Sequence, residues 1–265
     1  MSERFVILSD LHLGKKPGRL HADLFRPLWR AGDHVIINGD CAELHDPRYN
    51  WEAARQTLRL QELCDTDGVT LTLLAGNHDP GISKLRHLFL AGGKILVTHG
   101  DAVHPAIAPW CHTAPIMRGA YDEAINALPV ESRTDLEARL RASTHAAEVK
   151  WDTVKDKVGW IGFWGLVRQP WSFVQIMLYW NQFPREAAKF TADFAPSARF
   201  VVMGHTHHQG VWTVDGRVVI NSGCYEFPGK PRAVVLEEGV LRVHRLMKNA
   251  HGFDWENKPL ATFNV

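Results

Sequence analysis

Five apolar runs of the sequence each end at side chains that can bind a metal ion, and this repeated ending constrains the fold more than any other feature. The runs are RFVILSDLH, HVIINGD, VTLTLLAGNHD, KILVTHGD and RFVVMGHTHHQG, which supply Asp10, His12, Asp40, Asn77, His78, Asp79, His99, Asp101, His205 and His207. Continuous apolar strands are buried on both faces, as in a sheet covered by helices. Because open α/β sheets place their sites beyond the carboxyl ends of the strands, we predict an α/β fold that brings these side chains together.

The segment between the fourth and fifth runs differs from the rest because it favours helices. The stretch ESRTDLEARLRASTHAAEVKWDTVKDKV is charged and helix-favouring. The stretch GWIGFWGLVRQPWSFVQIMLYWNQF follows it and contains Trp160, Trp164, Trp171 and Trp180, with Trp151 just upstream. After His207, strand-like runs return, separated by Gly and Asp turns as in hairpins. We therefore predict a core of residues 1–101 and 199–265, with a helical, Trp-rich cap inserted at residues 102–198.

Charge and cysteine content argue against several classes of protein. The chain has 265 residues and a formal net charge of +1, whereas proteins that wrap nucleic acid usually carry a basic excess. Nucleic acid is therefore not the expected partner. The four cysteines show no C-x-x-C spacing and the sequence shows no signal peptide, which favours a reducing cytoplasm. No segment offers about 18 uninterrupted apolar residues, so we expect no transmembrane helix.

The candidate ligands are nitrogen and oxygen donors without a thiolate, which narrows the kind of metal site. They are Asp10, His12, Asp40, Asn77, His99, His205 and His207. Such a set exceeds the needs of one tetrahedral zinc and suits two divalent ions that share a carboxylate. Two-metal hydrolases hold their ions roughly 3.5–4 Å apart around a transferring phosphoryl group. Asp40 stands alone at its strand end and is the expected bridge. We expect manganese, with iron or zinc as alternatives.

Five short motifs carry a resemblance to a known family. They are D-L-H at 10–12, G-D at 39–40, G-N-H-D at 76–79, H-G-D at 99–101 and G-H-T-H at 204–207, with V-I-N-S-G at 219–223 downstream. Together and in this order they resemble the calcineurin-like metallophosphoesterases. The resemblance implies a four-layer α/β/β/α sandwich with two metal ions at one end of its sheets. It implies a first ion held by Asp10, His12, Asp40 and His207, and a second held by Asp40, Asn77, His99 and His205.

The two residues after Asn77 are the predicted catalytic pair. His78 cannot easily reach the ion that its neighbour binds, so we expect it to contact substrate phosphate and to donate a proton to the leaving oxygen. Asp79 would orient that imidazole and favour its charged form. The expected nucleophile is a hydroxide bridging the metal ions, because two cations depress the pKa of bound water. The predicted activity is metal-dependent hydrolysis of a phosphate ester or pyrophosphate.

Within this family the chain is most similar to the branch around UDP-2,3-diacylglucosamine pyrophosphohydrolase. As in that branch, Glu43 lies three positions beyond Asp40 and a helical segment follows the H-G-D motif. The chain departs from the branch at His78, where the branch typically has Arg, and in the stretch AVHPAIAPW, where the branch typically has a Cys-Thr-Asp pattern. The resemblance implies a phosphate substrate with an apolar portion, such as UDP-2,3-diacylglucosamine.

Several alternatives stay open at this point. The cap tryptophans either pack the cap onto the core or form an apolar surface for acyl chains or for the inner face of a membrane. The basic loop GKKPGR, from Lys15 to Arg19, is either solvated or contacts phosphate. The whole protein could instead be a general or nucleotide phosphodiesterase, or a non-catalytic partner-binding scaffold on the same fold.

Overall fold

The protein is built on two β-sheets that pack face to face. The computed structural model describes residues 3–15, 20–30, 32–154, 170–226 and 229–265. Within these ranges the strands are β1 (Phe5–Leu8), β2 (His34–Asn38), β3 (Thr70–Leu74), β4 (His87–Leu90), β5 (Ile95–Thr98), β6 (Phe200–Met203), β7 (Gly210–Val214), β8 (Arg217–Asn221), β9 (Arg232–Glu237), β10 (Val240–Asn249), β11 (Gly252–Trp255) and β12 (Ala261–Asn264).

Within each sheet, the strands that precede the predicted ligands run parallel to one another. The seven-stranded sheet has the order β11-β10-β9-β1-β2-β3, with β12 beside β10, and the five-stranded sheet has the order β4-β5-β6-β8-β7. Strands β1, β2 and β3 are parallel neighbours, and so are β5, β6 and β8. The carboxyl ends of each parallel set therefore meet at one edge of its sheet.

Helices cover the outer faces of both sheets. In the described ranges the α-helices are α1 (Arg26–Trp29), α2 (Asn50–Asp67), α3 (Ala114–Asn126), α4 (Leu136–Val154) and α5 (Pro170–Phe194), and short 3₁₀ turns occupy Ala22–Phe25, Ala91–Gly93, Asp101–Val103 and Val130–Thr134. Helix α2 connects β2 to β3 and ends at Gly68, whose left-handed φ of 68° suits a helix C-terminus. The helices α3, α4 and α5 all lie between β5 and β6. No helix in the described ranges is long and apolar enough to cross a membrane.

Three apolar clusters define the layers. The central cluster lies between the sheets and joins Ile7 and Ile36 of one to Val97 and Val202 of the other. A second cluster joins the far face of the seven-stranded sheet to α1 and α2. A third joins the far face of the five-stranded sheet to α5. The arrangement is the predicted α/β/β/α sandwich, and it follows from strands whose two faces are both apolar.

The predicted element types are largely confirmed, with additions. The hairpins predicted after His207 are present, and Asp215–Gly216 and Glu238–Gly239 turn them with the paired left-handed φ values of tight hairpin turns. Strands β4, β11 and β12 were not anticipated. Residues 16–19 of the predicted basic loop lie outside the described residues, as do Trp160 and Trp164.

Candidate metal centre

The ends of five strands place all seven predicted ligands in one region. Asp10 and His12 follow β1, Asp40 follows β2, Asn77 follows β3, His99 follows β5, and His205 and His207 follow β6. The side chains of these residues are buried apart from His207, whose side chain is 36% exposed. The first four come from one sheet and the last three from the other, so the cluster lies across the seam between the sheets.

Five of the seven ligand residues have a left-handed backbone. The φ values are 53° for Asp10, 46° for His12, 48° for Asp40, 66° for His205 and 57° for His207. A residue with a side chain pays about 1–2 kcal/mol to adopt this conformation. Such residues cluster at functional sites, where the surrounding structure holds them. The backbone thus turns sharply after β1, β2 and β6 and aims these side chains into the cluster.

Three glycines leave room for the predicted ligands. A Cβ atom on Gly204 would collide with the carboxylate of Asp10 and the hydroxyl of Ser9. A Cβ atom on Gly76 would collide with Asp40, and one on Gly39 would collide with the ring of His99. The close approach of backbone to ligand therefore requires glycine at these positions.

Four of the predicted ligands form a first group. Nitrogen or oxygen atoms of Asp10, His12, Asp40 and His207 all lie within 4.8 Å of one another. The Nε2 atoms of His12 and His207 are 3.0 Å apart, and His207 Nε2 lies 3.3 Å from Asp10 Oδ1. Two ring nitrogens and two carboxylates at such distances from one another can surround a cation.

The remaining ligands form a second group around Asn77. Its Oδ1 atom lies 3.2 Å from His99 Nε2 and 2.8 Å from His205 Nδ1. His99 Nε2 also lies 3.3 Å from Asp40 Oδ2, which connects the two groups. The outer ring nitrogen of each histidine lies 3.0 Å from a backbone carbonyl, that of Asn38 for His99 and that of Ile107 for His205. A donated N–H there fixes the tautomer that leaves the inner nitrogen free to bind a metal.

Proton affinities in the cluster are strongly perturbed. Burial would raise the pKa of Asp40, but the neighbouring His99 and His78 hold it well below its ordinary value. Burial opposes a charge on His207, yet its hydrogen bond with Asp10 raises its pKa to about 10. Burial and the proximity of His99 lower the pKa of His205 to about 4. Because a metal ligand must be deprotonated, a cation bound beside Asp10 would displace the proton of His207.

Glu43, rather than Asp79, contacts the predicted proton donor. The Oε2 atom of Glu43 lies 2.7 Å from His78 Nδ1, and its Oε1 atom lies 2.8 Å from His12 Nδ1. The predicted pairing of Asp79 with the His78 imidazole is not found. In the sequence, Glu43 stands out only through the resemblance to one branch of the family, because its partners His12 and His78 lie in other loops.

Asp79 instead organises the loop that carries Asp40. Its two carboxylate oxygens accept hydrogen bonds from the backbone N–H groups of Asp40, Cys41, Ala42 and Gly76. Burial raises its pKa to about 7, and these donors act in the opposite direction. A carboxylate that ties the loop after β2 to the loop after β3 supports the ligands of both.

Two further side chains find partners in the predicted cap. Asp101 accepts a hydrogen bond of 2.7 Å from Ser143 in α4, whereas the ring of His99 is oriented by Asn38. His208 stacks on Trp180 of α5 with ring centroids 4.7 Å apart. The sequence around His208 does not mark it as part of the site, because its partner comes from a distant helix.

A cavity of about 610 Å³ opens beside the cluster. Its polar side includes Asp40, Asn77, His78, His205 and His207, and its apolar side includes Ile107, Trp110, Phe173, Ile176 and Trp180. Lys150 of α4 also lines it and is the one Lys or Arg among the lining residues that the structure describes. An anionic group next to the histidines and an apolar group along the helices would both find a complementary surface.

The donor set fits two divalent cations of the first transition row. Imidazole nitrogens, carboxylates and one amide oxygen converge in two groups joined by Asp40. The left-handed backbone and the glycines beside it allow these donors to approach one another closely. The sequence-predicted residues therefore meet the chemical requirements of a metal centre.

Comparisons with known proteins point to one family. The sequence profile of the calcineurin-like phosphoesterases matches residues 3–209. The sequence matches none of the curated proteins with which it was compared.

Among solved structures, the fold resembles zinc-bound Vps29 from Entamoeba histolytica, at 11% identity over 97% of this chain and 98% of that chain, with a TM-score of 0.47. It resembles Yfce, a phosphoesterase from E. coli, at 14% identity over 99% of each chain, with a TM-score of 0.44. Vps29 from Cryptosporidium parvum resembles it at 11% identity over 100% of this chain and 99% of that chain, with a TM-score of 0.43. Similarities of this size bear on neither activity nor partners.

Proposed function

The chain belongs to the calcineurin-like phosphoesterase family, and from that premise we propose that it uses two divalent metal ions to hydrolyse a phosphate ester or pyrophosphate. The observation that carries the proposal is the convergence of seven side chains with nitrogen or oxygen donors, five of them on left-handed backbone. Repeated backbone strain of this kind clusters at functional sites.

The assignment of ligands follows the two groups. Asp10, His12, Asp40 and His207 would hold one ion, and Asp40, Asn77, His99 and His205 would hold the other. When bound, the two ions supply a hydroxide nucleophile near neutral pH and neutralise charge on the phosphoryl oxygens. We propose manganese as the metal, with iron or zinc as alternatives that the donor set also suits.

His78 is the proposed proton donor to the leaving oxygen. It lines the cavity, and its ring is 25% exposed. Glu43 occupies Nδ1, so the transferred proton would come from Nε2. The backbone N–H of His78 donates to Asp40 Oδ1 over 2.8 Å. The donor is thus fixed to the bridging carboxylate by its own backbone. Asp79 would act by holding the loop rather than by touching substrate.

We propose a substrate that joins a phosphate to an apolar portion. The apolar side of the cavity, with Trp110, Phe173 and Trp180, would hold the apolar portion. Lys150 would attract an anionic group that lies away from the metal centre. UDP-2,3-diacylglucosamine has this chemistry, and a soluble phosphodiester that fills the same cavity is the alternative.

A lipid surface is the proposed setting of the reaction. Phe173, Val174, Met177 and Leu178 form an exposed apolar stripe on α5, and Phe173 belongs to both this stripe and the cavity. No charged residue occurs between Pro170 and Pro184. A lipid bound at such a surface could enter the cavity without crossing water. We propose residues 102–198 as the cap that carries both features, in a cytoplasmic protein that contacts the membrane peripherally.

A metal and hydrolysis panel tests the proposed function. Metal-free protein would be loaded with Mn²⁺, and the panel would contain UDP-2,3-diacylglucosamine, aryl phosphate mono- and diesters and a cyclic nucleotide. We expect about two Mn²⁺ per chain and preference for the acylated substrate.

Asp40→Asn should lose both metal and activity, with Glu62→Gln on the exposed face of α2 as the control. Turnover of soluble diesters alone would favour a general phosphodiesterase. A protein that takes up no Mn²⁺ and hydrolyses none of the substrates would favour a scaffold.

A further inference from the structure

Two tryptophans of the helical segment hydrogen-bond directly to the loops that carry metal ligands. The indole Nε1 of Trp151, in α4, donates to the backbone carbonyl of Asn77 over 3.1 Å. The indole Nε1 of Trp180, in α5, donates to the backbone carbonyl of Thr206 over 2.9 Å. Two helices of the cap therefore make the same kind of contact, each with a different ligand loop.

Trp151 fixes a peptide group on which the metal centre depends. The carbonyl of Asn77 and the N–H of His78 belong to one peptide plane. The carbonyl accepts from Trp151, and the N–H donates to Asp40 Oδ1 over 2.8 Å. The ring of Trp151 is 7% exposed and meets the ring of His78 edge-on, with centroids 5.7 Å apart. Rotation of this peptide would move Asn77, His78 and Asp40 together.

Trp180 restrains the loop between the last two ligands. Thr206 lies between His205 and His207, which both have a left-handed backbone. The hydroxyl of Thr206 accepts a hydrogen bond from Asn221 over 3.0 Å, and its carbonyl accepts the one from Trp180. The same indole stacks on His208 at an interplanar angle of 16°. A loop with two strained residues requires such restraint, because it would otherwise relax away from the ligand geometry.

We propose that Trp151 and Trp180 are positioning residues of the metal centre, so that the cap forms part of the site and does not merely cover it. The proposal rests on the metal centre of the proposed function. The competing explanation is that both rings only pack the cap against the core. Packing alone requires only that each N–H find some acceptor, whereas both acceptors here are backbone carbonyls in loops that carry the proposed ligands.

Metal titration without substrate separates these explanations. Mn²⁺ would be titrated into metal-free wild type, Trp151→Phe and Trp180→Phe, with Trp51→Phe as the matched control because Trp51 is 85% exposed on α2. Loss of a residue that orients a ligand typically weakens metal affinity about 10–100-fold. Trp151→Phe should weaken the ion held by Asn77, and Trp180→Phe should weaken both ions. The control should bind as the wild type does.

A variant that keeps the shape of the ring separates loss of the hydrogen bond from loss of packing. Replacing either tryptophan with benzothienylalanine, in which sulfur stands in place of the indole N–H, removes only the donor. We expect the same loss of Mn²⁺ affinity as in the phenylalanine variants. Unchanged Mn²⁺ affinity in the benzothienylalanine variants would overturn the proposal, whether or not the phenylalanine variants lose stability.

Kinetics supply the second readout. For the best substrate of the wild type, Trp151→Phe at saturating Mn²⁺ should lower kcat about tenfold or more with little change in KM, since the indole acts through Asn77 and His78. A rise in KM alone would assign the ring to the wall of the cavity and overturn the positioning role. If the wild type proves inactive on every substrate, the proposed function fails, and the Mn²⁺ titration still decides the role of the tryptophans.

Discussion

Asp10 shows how backbone and side chain depend on each other in this site. Its φ of 53° turns the chain directly after β1. Its carboxylate then accepts the backbone N–H of His205 over 3.0 Å and the hydroxyl of Ser9 over 2.6 Å. These bonds hold the turn, and the turn aims the carboxylate. Neither would be stable alone, because the backbone is strained and the buried carboxylate is costly without partners.

The glycine beside Asp10 gives the first prediction. In Gly204→Ala the new methyl group meets the Asp10 carboxylate and the Ser9 hydroxyl. Because both are buried and hydrogen-bonded, Asp10 must shift, and we expect Mn²⁺ affinity to fall about tenfold or more. Equilibrium titration of metal-free protein measures this change. Gly119→Ala, in α3 where nothing lies within 4 Å of the new Cβ, should bind metal normally and gain about 0.5–1 kcal/mol of stability. Normal affinity in Gly204→Ala would contradict the proposed position of the first ion.

Glu43 gives a prediction about proton transfer. It contacts His12 and His78 with separate oxygens, and those histidines keep its pKa low despite its burial. In Glu43→Gln an amide N–H replaces one of the acceptors, so one imidazole loses its partner. We expect kcat to fall about 10–100-fold for substrates with poor leaving groups and less for good ones. A leaving-group series measures this difference.

The matched comparison is a double mutant. If Glu43 acts through His78, then Glu43→Gln in a His78→Ala background should add little to the loss of His78 alone. Glu62→Gln, which changes an exposed ion pair on α2, should leave the series unchanged. Independent, multiplicative losses would mean that Glu43 acts mainly through His12 and the metal.

At the scale of the elements, α5 has two apolar faces with different surroundings. Tyr179 and Phe183 pack in the cluster against the five-stranded sheet. Met177 and Leu178 on the other face are 47% and 55% exposed. A helix that packs on one side seldom keeps large apolar side chains exposed on the other unless they meet a partner.

The exposed face predicts binding to vesicles. Wild-type protein should co-float with vesicles of phosphatidylethanolamine and phosphatidylglycerol, and Met177→Ser with Leu178→Ser should weaken partitioning about tenfold or more, because each side chain loses apolar contact. Leu58→Ser on α2 is the matched control, since Leu58 is 72% exposed. Flotation that is equal in all three proteins would exclude α5 as the contact, and absence of flotation in the wild type would remove the lipid surface from the proposal.

The elements also show how far the sequence determines the site. The strands that carry ligands were predictable because apolar runs and motifs coincide at their ends. The partners of those ligands were not, because they depend on tertiary contacts: Glu43 lies near His78 only after the loops following β2 and β3 meet, and Trp151 reaches Asn77 across 74 positions of the chain. Strand β4 was missed because its short sequence HLFL lacks the polar ending that marked the others. Thus the predicted ligands can be found from the local sequence, whereas the residues that hold them in place can be found only from the tertiary packing.

At the scale of the whole molecule, the proposed metal centre lies where the two sheets meet. Asp10, His12, Asp40 and Asn77 follow strands of the seven-stranded sheet, whereas His99, His205 and His207 follow strands of the five-stranded sheet. Away from this edge, the central apolar cluster holds the sheets together. An ion bound by donors from both sheets would exist only in the folded protein, so its binding free energy adds to the stability of the sandwich.

Metal should therefore raise the melting temperature of the entire fold. At a free Mn²⁺ concentration of about one hundred times Kd, one ion adds about 2.7 kcal/mol, which corresponds to a rise in Tm of roughly 5–10 °C. Calorimetry of metal-free protein with and without Mn²⁺ measures this rise. Ca²⁺ prefers oxygen ligands and should raise Tm much less, because four of the seven donors are imidazoles. Asp40→Asn should lose most of the Mn²⁺ effect, because both ions depend on that carboxylate. Equal effects of Mn²⁺ and Ca²⁺, or a full effect in Asp40→Asn, would mean that metal stabilises the protein from somewhere other than the seam between the sheets.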